Sequence, residues 1–313
     1  MEERPPVPRW GDLGGCVIEV SDFSFTMPGE ETKPTVGKSK MKCRELKNKT
    51  IELKEMTEDK KENIGLSSPT GGQGAGRAMI FAAGLGTRFK PWTDKHPKAL
   101  AVVNGKSLLQ RNVEYLQQYG FTDVVVNVHH FADQITDAIE KAKGWGSNII
   151  VSDERDAVLE TGGGLLKARE HLQSGTFLTI NVDILTDTNL KAFLSFHQQQ
   201  GADISLAVSD RPTSRYLLFN EYNRLCGWRN TAPSLIERIA VQADAYIQKA
   251  YSGIALFEPT VFDAITQTGK FSLIDVYLSM APRYKIAGFD HTENKVIDVG
   301  KPESVAIAES LFP

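Results

Sequence analysis

The stretch AMIFAAGLGTRFKPWTDKHPKAL (Ala78–Leu100) divides the chain into two unlike parts and sets the fold class of the second. Its first six residues, Ala78 to Ala83, are a continuous apolar run, the pattern of a strand buried on both faces. The run empties into a long loop holding Gly84, Gly86, two cations (Arg88, Lys98) and two prolines (Pro91, Pro97) rather than a hairpin turn. Strands and helices then alternate. Leu108, Leu109, Val113, Leu116 and Tyr119 recur at helical spacing, and Gly120 stops that helix. Strands are predicted over Asp123–Val128, Ser147–Ser152 and Thr176–Val182, with helices over Ala132–Ala142 and Gly164–Leu172. This order implies a mainly parallel α/β sheet with helices on both faces. Closely spaced strands at 203–208, 215–219 and 224–228 predict a small antiparallel insertion. A strand over Ala250–Phe257 rejoins the core, followed by a helix after Pro259, a helix over Leu273–Met280, a strand over Lys295–Gly300 and a last helix from Pro302.

Upstream, residues 1–77 carry scattered prolines, a basic stretch (Lys33–Lys49), a mixed-charge stretch (Ile51–Glu62) and a closing LSSPTGGQGAG (Leu66–Gly76). They read as a disordered, low-complexity extension and linker ahead of a single domain over 78–313. The one candidate strand, Cys16–Phe25, has no second face to bury it, and a small partner-binding module stays open as the alternative. The 36 basic and 39 acidic side chains leave a net charge of −3, which argues against a nucleic-acid partner. No apolar run approaches the roughly 20 residues that span a bilayer. The opening MEERPPVPRWGD lacks the apolar centre of a signal peptide, so a cytoplasmic protein with no membrane partner is expected. Cys16, Cys43 and Cys226 form no CxxC pair and read as free thiols.

Ligands of open α/β sheets sit beyond the carboxyl ends of the strands, where the Ala82–Leu100 loop lies. Ala82, Ala83, Gly84 and Gly86 leave backbone donors bare, and Arg88 and Lys98 add fixed positive charge, a combination that suits a polyphosphate. The glycines alone also suit a plain turn. Lys98 lacks the Walker A spacing, and Phe89 stands where a dinucleotide fingerprint needs its third glycine. Asp183 closes an apolar run and Asp298 precedes Gly300. Each is placed for a hard cation or, taken singly, for starting a turn. The block LETGGG (Leu159–Gly164) reads as backbone donors at a helix N-terminus or as a helix-entry turn.

Gly84-Leu-Gly-Thr-Arg88, with Pro91, Thr93 and Pro97-Lys98, resembles the GxGTRxxPxTxxxPK signature of sugar-1-phosphate nucleotidyltransferases. NVD (Asn181–Asp183), YSGI (Tyr251–Ile254) and IDVG (Ile297–Gly300) follow in the family's order, and the likeness runs from Ala78 to Pro313. Among family members the chain is similar to short bacterial N-acetylmuramate-1-phosphate uridylyltransferases and mannose-1-phosphate guanylyltransferases. The resemblance implies a Rossmann-like (GT-A-like) fold and Mg²⁺-dependent transfer of a nucleoside monophosphate from an NTP to a sugar 1-phosphate. UTP and N-acetylmuramate 1-phosphate are favoured; GTP with a mannose or heptose phosphate, or a catalytically silent sugar-nucleotide sensor, are the alternatives. It implies catalytic roles for Arg88, Lys98 and Asp183, and a metal held by Asp183 and Asp298. Nucleotide contacts are implied at Ala82, Ala83, Gly84, Gly86, Thr87, Arg88, Lys98, Glu160, Thr161 and Gly162. Ser252 and Gly253 fall on the sugar side, and Asn127 is expected to reach the base or sugar. No general base is evident. Val182 replaces the glycine of the family's usual GD, and the Glu-Lys-Pro block of longer relatives is absent, with Arg229 or Lys270 as substitutes. A monomer or small homo-oligomer is expected.

Overall fold

The computed structural model describes residues 76–232 and 234–313. Apart from Gly76 and Arg77, the expectations for residues 1–77 lie outside the described residues.

β1 (Arg77–Phe81) starts one residue into the expected linker, and its side chains divide between two cores. Ala78 and Ile80 enter one apolar cluster, Met79 and Phe81 the other, which is why the run carries no polar alternation. A small hairpin, β2 (Val102–Val103) and β3 (Lys106–Ser107), leads into α1 (Leu108–Gln118), whose first turn is capped by the Ser107 hydroxyl accepting from the Gln110 amide. β4 (Asp123–Val128), α2 (Ala132–Lys141) and β5 (Asn148–Asp153) follow. α3 (Glu160–Lys167) and α4 (Arg169–Leu172) precede β6 (Phe177–Asn181). α3 begins four residues earlier than expected, so LETGGG lies within the helix rather than ahead of it.

Next come β7 (Ile184–Thr186), α5 (Leu190–Gln200), β8 (Ile204–Ser209), β9 (Arg215–Phe219), β10 (Leu225–Asn230) and β11 (Ile236–Ile239). The long β12 (Ile247–Phe257), α6 (Val261–Ala264), α7 (Leu273–Met280), β13 (Ile286–Asp290), β14 (Val296–Asp298) and α8 (Glu303–Leu311) complete the chain. The ten-stranded sheet runs β11-β10-β9-β12-β6-β1-β4-β5, with β8 also paired to β12 and β13 to β8. β6, β1, β4 and β5 are mutually parallel, with Ala78 opposite both Val124 and Leu178. β12 joins β6 antiparallel and carries the antiparallel strands beyond it. β7 and β14 form a separate two-stranded ladder. Among the described residues no helix is long and apolar enough to cross a membrane.

Candidate active site

β1, β4 and β6 point the same way, so their carboxyl ends open on one cleft. The loop leaving β1 winds through single turns at Thr87–Phe89, Trp92–Asp94 and Lys98–Leu100. Gly86 turns it back on itself: φ is 61°, and a Cβ there would press on Thr93 and Lys98. The Gly86 carbonyl accepts from the Thr93 hydroxyl at 2.9 Å and from the Phe89 amide at 2.8 Å. That closure sends Lys98 inward, where its ammonium is paired with the Asp183 carboxylate, while Arg88 stays 62% exposed.

Asp183 follows β6, and the β7–β14 ladder brings Asp298 beside it. Asp298 pairs with Ile184 in that ladder, and the Val299 amide donates to the Asp183 carbonyl at 2.8 Å. Burial and then the charge of Asp183 push the Asp298 carboxyl above the usual range, against the pull of Lys98, Arg88 and Arg211. Arg88 Nη2 lies 3.9 Å from Asp298 Oδ2. A Cβ on Gly300 would stand 2.8 Å from Asp298 Oδ1 and 3.1 Å from Arg88 Nη2, so the bare backbone is what admits both groups. Among the described residues no cluster of three or more His, Cys, Asp or Glu is arranged to hold a metal ion by itself.

Three adjoining cavities make up the cleft. The central one, about 260 Å³, is walled by Lys98, Arg88, Asp183, Asn181 and Gly300. An apolar cavity of about 450 Å³ shares Gly84, Gly86, Thr87 and Thr161 with it. Asn127 lies at its wall, and at its edge Glu160 meets Lys270 at 3.5 Å. The third, about 480 Å³, meets the centre at Arg88 and holds Arg211, Arg215 and Asp298 with Tyr216, Trp228 and Tyr251.

The MobA-like NTP transferase domain family matches residues 78–245. The chain belongs to that family. It is therefore a nucleotidyltransferase, and the resemblance read from its motifs is one of descent. It is 32% identical to the N-acetylmuramate alpha-1-phosphate uridylyltransferase of Neisseria meningitidis over 75% of this chain and 97% of that protein. The Schizosaccharomyces pombe mannose-1-phosphate guanyltransferase is 27% identical over 75% of this chain and 64% of its own length. The crystal structure of HddC from Yersinia pseudotuberculosis complexed with GMP-PN shares the fold, with a TM-score of 0.61, 23% identity and coverage of 76% of this chain and 100% of that one.

Within this NTP transferase several expected contacts fall elsewhere. Asn127 is 2% exposed, and its carboxamide is turned inward. Its Oδ1 accepts from the Ala82 amide at 2.7 Å and from the Ala83 amide at 3.3 Å. Its Nδ2 donates to Glu154 Oε1 at 2.8 Å. The Ala82 and Ala83 donors are thus spent on Asn127, although both alanines line the cleft. Gly162 is buried, and its amide donates to the Phe271 carbonyl at 2.9 Å. The three glycines of LETGGG make room for neighbours: a Cβ would collide with Phe271 at Gly162, with the Gly269 carbonyl at Gly163, and with Glu154 and Asn127 at Gly164. Thr161 lines the cleft, yet its hydroxyl accepts from the Leu273 amide at 3.0 Å and ties α7 to α3.

Ser252 is completely buried, with its hydroxyl 2.7 Å from His291 Nε2. The chain of contacts continues from His291 Nδ1 to Thr188 at 3.0 Å and on to Thr186 at 2.7 Å. Gly253, at φ 73°, packs against Asn181 and Ile184 where β12 slips register. Both residues are buried. Arg229 is held by Glu237 at 2.6 Å, and Lys270 stands at the apolar cavity. The cations of the third cavity, Arg211 and Arg215, had no motif to announce them. Asn181 and Gly300 stood inside NVD and IDVG, where only the aspartates drew a role.

Proposed function

We propose that this enzyme transfers a uridylyl group from UTP to a sugar 1-phosphate, with N-acetylmuramate 1-phosphate as acceptor, and releases pyrophosphate. The observation that carries this reading is the Lys98–Asp183 pair beside Asp298, standing between an apolar cavity and a basic one. A base fits the apolar cavity, a triphosphate fits the Gly84–Arg88 loop, and an anionic sugar fits the basic end. The uridylyltransferases of Neisseria meningitidis and Caulobacter vibrioides, 32% and 29% identical, support the choice of base and sugar.

Two neighbouring carboxylates, Asp183 and Asp298, the second pushed above the usual range by burial and by the charge of the first, offer hard oxygen donors that suit Mg²⁺, which commonly takes one or two protein carboxylates together with phosphate oxygens. Asp183 and Asp298 would hold the ion, which when bound offsets phosphate charge. The acceptor phosphate has a second pKa of about 6 and arrives mostly ionised, so no protein base is needed. One of its oxygens bonds to the α-phosphorus of UTP, while the bond from that phosphorus to the oxygen bridging to the β-phosphate breaks. The electron pair leaves on pyrophosphate. Lys98 and Arg88 orient the phosphates and stabilise the charge that grows on them. Residues 78–313 are the catalytic domain on this reading, and the cytoplasm, where nucleoside triphosphates are available, is its compartment.

The test is pyrophosphate release by the full chain with Mg²⁺, crossing UTP, GTP, CTP, dTTP and ATP with N-acetylmuramate, mannose, heptose and N-acetylglucosamine 1-phosphates. Turnover concentrated on UTP with N-acetylmuramate 1-phosphate is the expected result. Turnover confined to GTP with mannose or heptose phosphate replaces both substrates, and nucleotide binding without any turnover refutes the enzyme reading.

A further inference from the structure

The third cavity carries more positive charge than one phosphate at its inner end uses. It is lined by three arginines, Arg88, Arg211 and Arg215, against a single acid, Asp298. Carboxylates beside this region are taken: Asp210, next to Arg211 in the chain, lies 2.8 Å from Lys249 Nζ, Asp290 lies 2.6 Å from the same nitrogen, and Asp275, next to the cavity-lining Ile274, lies 2.8 Å from Arg238 Nη1. Arg88 belongs to the inner end, since it also lines the central cavity and its Nη2 lies 3.9 Å from Asp298 Oδ2; Arg211 lines the same basic cavity. Arg211 is further fixed by one nitrogen, Nη2, donating to the Tyr251 carbonyl at 3.0 Å.

Arg215 is different. It opens β9 opposite Asn230, toward the outer part of the sheet. Its backbone amide is bound by the Thr213 hydroxyl at 3.3 Å, but among the described residues its guanidinium has no ion pair or hydrogen bond. Tyr216 and Trp228 line the same cavity and give a sugar ring apolar surface to lie on. Tyr216 is held in turn, its hydroxyl accepting from the Thr213 amide at 3.1 Å. A cavity lined by three arginines, only one of which also faces the central cavity, and by aromatic rings suits a sugar bearing two anions. A free guanidinium fork matches a carboxylate in two-point geometry.

We infer that Arg215 is a specificity-determining residue that reads a carboxylate on the acceptor sugar, while Arg88 and Arg211 take its phosphate. The inference rests on the acceptor occupying this cavity, as in the function proposed above. N-acetylmuramate 1-phosphate carries such a carboxylate on its lactyl ether; N-acetylglucosamine 1-phosphate is the same sugar without it.

The experiment measures kcat/KM for both acceptors, with UTP and Mg²⁺, in the wild-type full chain and in the Arg215→Gln and Arg215→Lys variants. Losing a charge-assisted pair should lower the preference for the carboxylate-bearing acceptor about 10- to 100-fold in Arg215→Gln, chiefly through KM. Arg215→Lys keeps the charge without the fork and should recover part of the preference. An equal loss on both acceptors in a variant that still binds UTP normally overturns the inference, because Arg215 then serves the phosphate or the fold. A wild-type enzyme that uses both acceptors equally well overturns it too, while leaving the nucleotidyltransferase reading intact. No turnover of any acceptor with any nucleotide removes that reading and takes the inference with it.

Discussion

Asn127→Leu removes the hydrogen-bonding support beneath the apolar cavity while keeping the number and branching of side-chain heavy atoms. The wild-type carboxamide satisfies the buried Ala82 amide and Glu154 Oε1, and more weakly the half-buried Ala83 amide. Glu154 already has one oxygen, Oε2, buried without a partner. After the substitution Ala82 N–H and both carboxyl oxygens of Glu154 are unsatisfied. At about 1–3 kcal/mol for each buried polar group left unpaired, the two lost contacts cost about 2–6 kcal/mol. That is a large share of the roughly 5–15 kcal/mol that holds a typical domain together. Asn127→Asp separates charge from shape. It keeps an acceptor for Ala82 but turns a second carboxylate oxygen toward Glu154, whose carboxyl burial already pushes above its ordinary value of 4.5. A carboxyl with a raised folded pKa destabilises the fold progressively as pH climbs from its unfolded pKa to its folded one, and the effect vanishes below the unfolded pKa. The Asp variant should therefore approach wild type as pH falls below the ordinary carboxyl range of about 4 and fall progressively behind as pH rises from there. Urea unfolding followed by far-UV circular dichroism across that range, with KM for UTP measured beside it, makes the comparison. Unchanged midpoints and an unchanged KM in both variants would refute the account of Asn127 as the support of the loop.

Gly300→Ala should leave stability nearly unchanged yet lower kcat about 10- to 100-fold, since the added methyl displaces Asp298 and Arg88 by a fraction of an ångström; steady-state kinetics beside thermal unfolding reads both. Gly164→Ala should destabilise by about 1–3 kcal/mol because its Cβ meets Glu154 and Asn127, whereas Gly84→Ala, with open space around it, should change stability by less than about 0.5 kcal/mol in the same urea assay. Asp183→Asn and Asp298→Asn should each raise the Mg²⁺ concentration needed for half-maximal rate and cut turnover at least about 100-fold, which a metal titration of pyrophosphate release checks. His197 and His291 are both pushed below 6.5 by burial, so wild-type stability should drop as pH falls from 6.5, and the drop should shrink in His197→Gln and His291→Gln.

The parts of the fold that were legible are those whose local pattern and tertiary fate agree. Asp123–Val128 and Leu273–Met280 match their elements because a β-branched run and a Ser272-capped apolar helix each carry their own signal. β7, β11 and β13 carry little. β13, IAGFD, holds a central glycine and a terminal aspartate, and it is a strand because it lies along β8. The Leu190–Gln200 helix drew no prediction either: its apolar stripe fades into HQQQ, although Asn189 caps it by accepting from Lys191 and Ala192. In the cleft, residues that line it through the loop after β1, such as Gly84, Arg88 and Lys98, were readable from type and order. Those whose partners are remote were not. A glycine in sequence records a missing side chain, but not whether the space serves a ligand or, as in LETGGG, the Phe271 ring and the Glu154 carboxylate. Ser252 looked like a polar group free for sugar because its partner, His291, lies far along the chain.

The same contrast explains why Asp298, more than Asp183, defines the geometry of the centre. Asp183 is carried by β6, whose neighbours on both sides bury it in the main sheet. Asp298 belongs to a three-residue strand paired only with β7, outside that sheet, and its position depends on register: Asp298 opposite Ile184, Ile297 opposite Leu185, Val296 opposite Thr186. A slip by one residue would turn the carboxylate to the other face of the ladder. Several contacts resist that slip from the far end. Lys295's amide donates to Asp187 Oδ1 at 2.8 Å, and its carbonyl accepts from the Thr186 hydroxyl at 2.8 Å. Thr186 in turn meets Thr188, and through it His291 and Ser252. The buried polar chain that includes Ser252 and His291 is thus anchored to the strand whose register keeps Asp298 beside Asp183, so a change in that chain reaches the carboxylate pair through the position of the strand.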